Sequence, residues 1–94
     1  MKFKVYEVER VRDDGSDEHR LKFLYLDYAN AVDRFKKLIE EEKKVDWIEE
    51  ALSDDCNADY VCELTESVDY WGFYVEHMFD RMYSEVSITE REVF

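Results

Sequence analysis

Apolar and polar positions alternate through residues 2–12 (KFKVYEVERVR) with the two-residue period of a β-strand, and β-branched and aromatic types fill the apolar places. Phe3 and Val5 fall on one face while Tyr6 and Val8 fall on the other, a slip that predicts a bulge. Asp13-Asp14-Gly15-Ser16-Asp17-Glu18 is a turn cluster built around an Asp-Gly pair. Residues 19–27 (HRLKFLYLD) form the return strand. Leu21, Phe23 and Tyr25 share one side, Leu24 and Leu26 the other, so this strand is expected at the centre of the sheet.

Beyond Asp27 the period changes from two to about four. Ala31, Val32, Phe35, Leu38 and Ile39 mark one face of a helix that Asp27 is placed to cap. Glu40, Glu41 and Glu42 answer Lys36, Lys37, Lys43 and Lys44 in a self-compensating charge pattern. The helical pattern resumes at Val45, Trp47, Ile48, Ala51 and Leu52, giving one long helix or two with a bend near Lys44.

Asp54-Asp55-Cys56-Asn57 breaks the helix. Residues 59–66 (DYVCELTE) alternate again, with Tyr60, Cys62 and Leu64 inward and Asp59, Val61 and Glu63 on the opposite face. Residues 83–94 read as a last strand with Val86 and Ile88 inward. Between them, residues 70–82 fit two templates: Val75, Met78, Phe79 and Met82 suit a helix face, whereas Trp71, Phe73 and Val75 suit a strand. The expectation is an extended start and a short helical turn or loop near Phe79. The chain is thus expected to be one α+β domain over residues 1–94. Its architecture is an antiparallel sheet of about four strands (β-β-α-β-β), with one long or two consecutive helices packed on one face.

Composition supports a folded chain. Of 94 residues, 46% are apolar and 16% aromatic, and there is no Pro and only two Gly, so neither a disordered tail nor a flexible linker fits. No apolar run approaches a membrane span or a signal-peptide core. Cys56 and Cys62 are the only cysteines, a sparse usage that suits a reducing cytosol, and Cys62 is expected as a core thiol.

Charge changes the picture most. The formal net charge is −12, yet residues 1–45 carry eleven basic and eleven acidic side chains. Residues 46–94 carry only Arg81 and Arg91 against fourteen carboxylates. Solubility alone does not require such segregation. Direct binding to DNA or RNA is not expected, because this charge repels phosphates.

The residues that bear chemistry do not assemble into a catalytic motif. His19 and His77 are far apart in sequence, and there is no glycine-rich phosphate loop, serine elbow or H-E-x-x-H. A Cys56–His77 nucleophile is the one pairing to set aside, and no enzyme is expected. The two cysteines lie outside zinc-site spacing. Asp55, Asn57, Asp59, Glu63 and Glu66 copy the first, third, fifth, ninth and twelfth places of a calcium-binding loop. Tyr60 stands where that loop needs Gly, so no tight metal and no cofactor are expected.

Carboxylates at i and i+2 of a strand recur about every 6.6–6.8 Å on one face, a spacing comparable with phosphates along a nucleic-acid strand. Asp54, Asp55, Asp59, Glu63, Glu66, Asp69, Glu76, Asp80 and Glu85, with Glu90 and Glu92, are therefore read as a phosphate-like field on the last strands. Tyr70, Trp71 and Tyr74 are its candidate aromatic anchors, with Phe73 in the same stretch.

The start at Met1, the strand pair KFKVYEVERV and HRLKFLYLDY, the helix ANAVDRFKKLIEEE and the acidic, aromatic second half together give a layout. In size, charge and order of elements it resembles the small acidic anti-defence proteins of phages and mobile elements, anti-CRISPR proteins and other nucleic-acid mimics among them. The resemblance implies a non-catalytic inhibitor in the host bacterial cytoplasm. Its partner would be a host defence protein, a Cas effector foremost, whose basic nucleic-acid-binding groove the acidic half fills. Two other readings follow from the residues: a calcium-responsive module using the Asp55–Glu66 window, and an accessory protein whose acidity serves solubility alone.

Overall fold

The structure is a computed structural model that describes residues 3–15, 17–53, 61–77 and 80–93. The described residues form, in chain order, β1 (Phe3–Asp13), β2 (Glu18–Tyr25), α1 (Tyr28–Lys43), α2 (Asp46–Ser53), β3 (Val61–Glu66), β4 (Tyr70–His77) and β5 (Asp80–Val93). They build an α+β fold around a five-stranded antiparallel sheet of order β2-β1-β5-β4-β3.

Local chemistry sets the first boundaries where the sequence places them. Asp13 Oδ1 accepts from the backbone N–H of Gly15 at 2.8 Å, and Gly15 takes the positive φ of 107° that the tight connection needs. Asp27 is extended (φ −111°, ψ 123°), and its side chain accepts from Ala29 N at 2.9 Å, capping α1. Lys44 closes α1 with its N–H shared between the carbonyls of Glu41 and Glu42, so the helical stretch is two helices and not one.

The described residues form five strands where about four were expected, because residues 70–77 and 80–82 are extended. Trp71, Phe73 and Val75 are 2%, 4% and 2% exposed, which is the strand period. Val75 and Met82, read as neighbours along a helix, are partners across the β4–β5 ladder. The proposed turn near Phe79 lies outside the described residues. The predicted bulge in β1 is absent, since β1 pairs without a break with β2 from Tyr6 to Asp13 and with β5 along its full length. Its two-sided apolar pattern reflects a central place in the sheet. β2 is the reverse case. Expected at the centre, it is an edge strand with Leu24 67% exposed.

One parity of the sheet supplies the core. Val8, Trp71, Phe73, Val75, Val86 and Ile88 cluster with Ala31, Phe35 and Leu38 of α1 and Ile48 of α2. Trp47 of α2 stacks on Phe73 (centroids 6.4 Å) and donates from Nε1 to Asp14 Oδ1 at 2.7 Å, which ties α2 to the first hairpin. On β2, Arg34 of α1 donates to the Tyr25 hydroxyl at 2.9 Å and lies 4.5 Å over the Phe23 ring.

A buried carboxylate sits in this core. Glu42 is 1% exposed and accepts from Arg12 at 3.0 Å, from Arg10 at 3.5 Å and from the buried Ser84 hydroxyl at 2.8 Å. In the sequence Glu42 belongs to the run Glu40–Glu42 that reads as the counterpart of the neighbouring lysines. The partners that hold it come from strands about thirty and forty residues away.

Candidate interaction face

The second parity of the sheet turns away from that core. The registers line up rows of side chains across it. Glu63, Tyr74, Tyr83, Asp13 and Glu18 form one row that crosses all five strands. At the usual strand spacing it runs about 19 Å. The next row reads Thr65, Gly72, Glu85, Val11 and Arg20. Tyr70, opposite Ser87, stands in the third.

The tyrosines of this face are tied to carboxylates. The Tyr70 hydroxyl donates to Glu85 at 3.0 Å, Tyr74 to Glu76 at 2.7 Å and Tyr83 to Glu18 at 3.3 Å. All three phenols are held above their ordinary pKa: Tyr70 and Tyr83 first by partial burial, Tyr74 first by its hydrogen bond to Glu76. They stay neutral donors at physiological pH. Burial also raises what an ion would cost there.

The cations of the face gather on the β1–β2–β5 side and are already partnered. Glu7, 6% exposed, is held between Lys22 (3.1 Å) and Arg91 (2.9 Å) from the two flanking strands. Arg20 reaches Glu18 at 2.8 Å and Glu9 at 3.5 Å, and its hydrogen bond lowers the Glu18 pKa. On the β3–β4–β5 side Arg81 faces Glu76 at 3.8 Å. Glu63 and Glu85 have no cation within ion-pair distance among the described residues, so the negative charge of the face is concentrated there.

The candidate residues named from sequence divide accordingly. Glu63, Tyr70, Tyr74, Glu76 and Glu85 share the open face. Glu66, of the opposite parity, faces the other way, and Asp69 sits in the β3–β4 turn, where it accepts from the Ser67 hydroxyl at 3.0 Å. Trp71 is not an anchor. It is 2% exposed in the core, 6.5 Å from Phe73, because its parity points it at the helices. Asp54, Asp55 and Asp59 and the side chain of Asp80 lie outside the described residues.

Three members of the tyrosine row escaped the sequence reading. Tyr83, Asp13 and Glu18 join it because β1 lies beside β5, which brings the first hairpin to the last strand. The acidic surface is thus not confined to the second half of the chain. The signal available was the odd-numbered parity of Asp13 and Tyr83, but only the long-range pairing makes it meaningful.

Of the calcium window, residues 55–60 lie outside the described residues, and Val61–Glu66 is strand. The window's ninth and twelfth places, Glu63 and Glu66, lie in a paired strand and point to opposite faces. Among the described residues no group of three or more His, Cys, Asp or Glu is disposed to hold a metal. Leu64, read as inward, is 46% exposed on the edge strand. Cys62, read as a core thiol, is half-buried against the core and disulfide-bonded. Among the described residues no helix is long and apolar enough to cross a membrane.

Comparison with known proteins yields no match, whether to a family model, a curated protein or a solved structure.

Proposed function

We propose that the protein is a non-catalytic binding module that seats the acidic, tyrosine-bearing part of its open sheet face in a basic groove of another macromolecule. The observation that carries this reading is the row Glu63–Tyr74–Tyr83–Asp13–Glu18. Carboxylates flank two amphipathic rings on a rigid, two-dimensional support. Tyrosine offers large contact area for few rotatable bonds, and carboxylates steer it to a cationic partner. The cations of the same face are neutralised within the protein, so they do not oppose the approach of such a partner.

The owner of the groove is proposed from the resemblance in size, charge and layout: a host defence nuclease or Cas effector, engaged in the bacterial cytoplasm as an inhibitor. The test is a gel-shift assay in which the protein competes with guide or target nucleic acid for purified Cas effectors. Competition that weakens with salt and with Glu63→Lys/Glu85→Lys supports the reading. Equal competition by that variant, with its fold intact, removes this face as the contact site.

The disulfide at Cys62 favours a second reading, in which the same face meets a basic partner outside the reducing cytosol. Thiol labelling of the protein taken directly from the cells that produce it, without added reductant, separates the two. Full labelling fits cytoplasmic action, and its absence fits an oxidising compartment.

A further inference from the structure

On the helix-bearing side of the sheet, a crevice of about 360 Å³ opens between the first turn of α1 and the β3–β4 turn. Tyr6, Tyr28 and Ile88 line it, with Val68, Asp69 and Glu90. The rings of Tyr6 and Tyr28 stand 5.2 Å apart at 56°, so they form two converging walls and not a stack. The backbone amide of Ile88 donates to the Asp69 carbonyl at 2.9 Å, which fixes the turn carrying Val68 and Asp69 against β5.

We infer that this crevice binds an alkylated ammonium group. Aromatic faces are the negative part of the ring quadrupole and attract cations, most effectively where ring walls converge. Asp69 adds negative charge, and Ile88 and Val68 offer surface to methyl or methylene groups. Glu90 is already paired, with Lys4 Nζ at 3.0 Å. Asp69 has no cation within ion-pair distance among the described residues. An anion is repelled by this lining, and a neutral apolar group gains nothing from the Asp69 carboxylate. The inference is independent of the proposed function, because the tyrosine row occupies the other side of the sheet.

The same head group can come from a free quaternary amine or from a methylated lysine side chain, and the experiment separates these sources. The folded protein is titrated with choline, with the neutral isostere of choline in which carbon replaces nitrogen, and with a short peptide carrying trimethyllysine. Chemical shifts of Tyr6, Tyr28, Val68 and Ile88 are followed by nuclear magnetic resonance. Saturable millimolar binding of choline or the peptide is expected, with the isostere weaker by at least about fivefold. Tighter binding of the peptide identifies a protein-borne ligand, and tighter binding of choline a small molecule. Tyr28→Leu keeps an apolar wall and removes the quadrupole, so it should weaken choline by about threefold or more. If that variant does not fold, Asp69→Asn, an exposed turn substitution, serves beside the isostere comparison. Equal binding of the isostere, undiminished binding by the variants, or shifts that map elsewhere would overturn the inference.

Discussion

The Tyr70 hydroxyl donates to Glu85 Oε1 at 3.0 Å, and Glu85 is the strand partner of Gly72, so the ring is drawn across the glycine between them. A Cβ on Gly72 would meet the Tyr70 hydroxyl and ring at 2.5–2.8 Å. Gly72 is therefore buried beneath a side chain of its own strand. Aromatic cover of this kind shields a backbone that a glycine leaves bare.

Gly72→Ala should swing the Tyr70 ring away and break its bond to Glu85. The loss of that part-buried hydrogen bond is on the order of 1 kcal/mol, and removing a glycine from a strand returns a similar amount. Net stability should change by about 1 kcal/mol or less in chemical denaturation. The diagnostic reading is the Tyr70 titration, which should fall back toward the ordinary tyrosine value. An unchanged titration would mean that the ring does not depend on the glycine.

The raised phenol pKa values make an alkaline prediction. A group whose folded pKa lies above its unfolded value contributes stability that is present below the unfolded pKa and is lost as pH rises through the folded pKa. Tyr70, Tyr74 and Tyr83 all shift upward from 10.0. Stability should hold to about pH 10 and then fall, in step with tyrosinate absorbance. Tyr70→Phe should flatten part of this fall. A profile flat through the tyrosine titration would contradict the bonds to Glu85, Glu76 and Glu18.

Glu42 gives the largest expected loss of stability from a single polar site. Removing one partner of a buried ion pair costs about 3–5 kcal/mol, and here Arg10 and Arg12 keep some contact with water, which points to the lower end. Glu42→Ala should cost about 3 kcal/mol. Replacing the whole cluster by apolar residues of similar volume (Glu42→Met with Arg10→Met and Arg12→Leu) should recover most of that. If the triple variant is as unstable as Glu42→Ala, the loss comes from packing and not from stranded charge.

What could be read in the sequence follows the range of the interactions involved. Asp27 caps α1 through a bond two residues away, and Asp13 holds Gly15 at the same separation, so both signals are local and both were legible. The inward pair Val86 and Ile88 was legible from alternation alone. The place of each strand in the sheet was not. β1 is central because β5 returns to it from the far end of the chain, and β2 is left at the edge although its pattern is apolar on both sides. The same return builds the tyrosine row and buries Glu42 against Ser84, contacts that no local window contains.

The edge position of β2 is itself testable. Leu24 is 67% exposed, so Leu24→Lys should change stability by about 0.5 kcal/mol or less and should reduce self-association at the open edge. A leucine in a central, covered strand would cost several times more when replaced by a charge. A loss above about 2 kcal/mol by denaturation would place β2 under cover in solution.

Trp71 and Tyr74 stand three residues apart in one strand but on opposite faces, and this separates folding from binding. Trp71 is in the core, so Trp71→Ala should cost about 3–5 kcal/mol and leave little folded protein to assay. Tyr74 is half-buried on the open face, with its hydroxyl on Glu76, so Tyr74→Ala should leave the circular dichroism spectrum intact. If the tyrosine row is the contact surface, Tyr74→Ala with Tyr83→Ala should weaken partner binding at every salt concentration, because the lost contacts are largely apolar. Glu63→Lys with Glu85→Lys should act differently. Its effect should be large at low salt and shrink as ions screen the surface over about 8–10 Å. Each exposed pair is worth at most about 1 kcal/mol, so one reversal alone should do little and the two together should slow association. A folded tyrosine variant that binds as tightly as the original, across the whole salt range, would show that the open face is not where the partner docks.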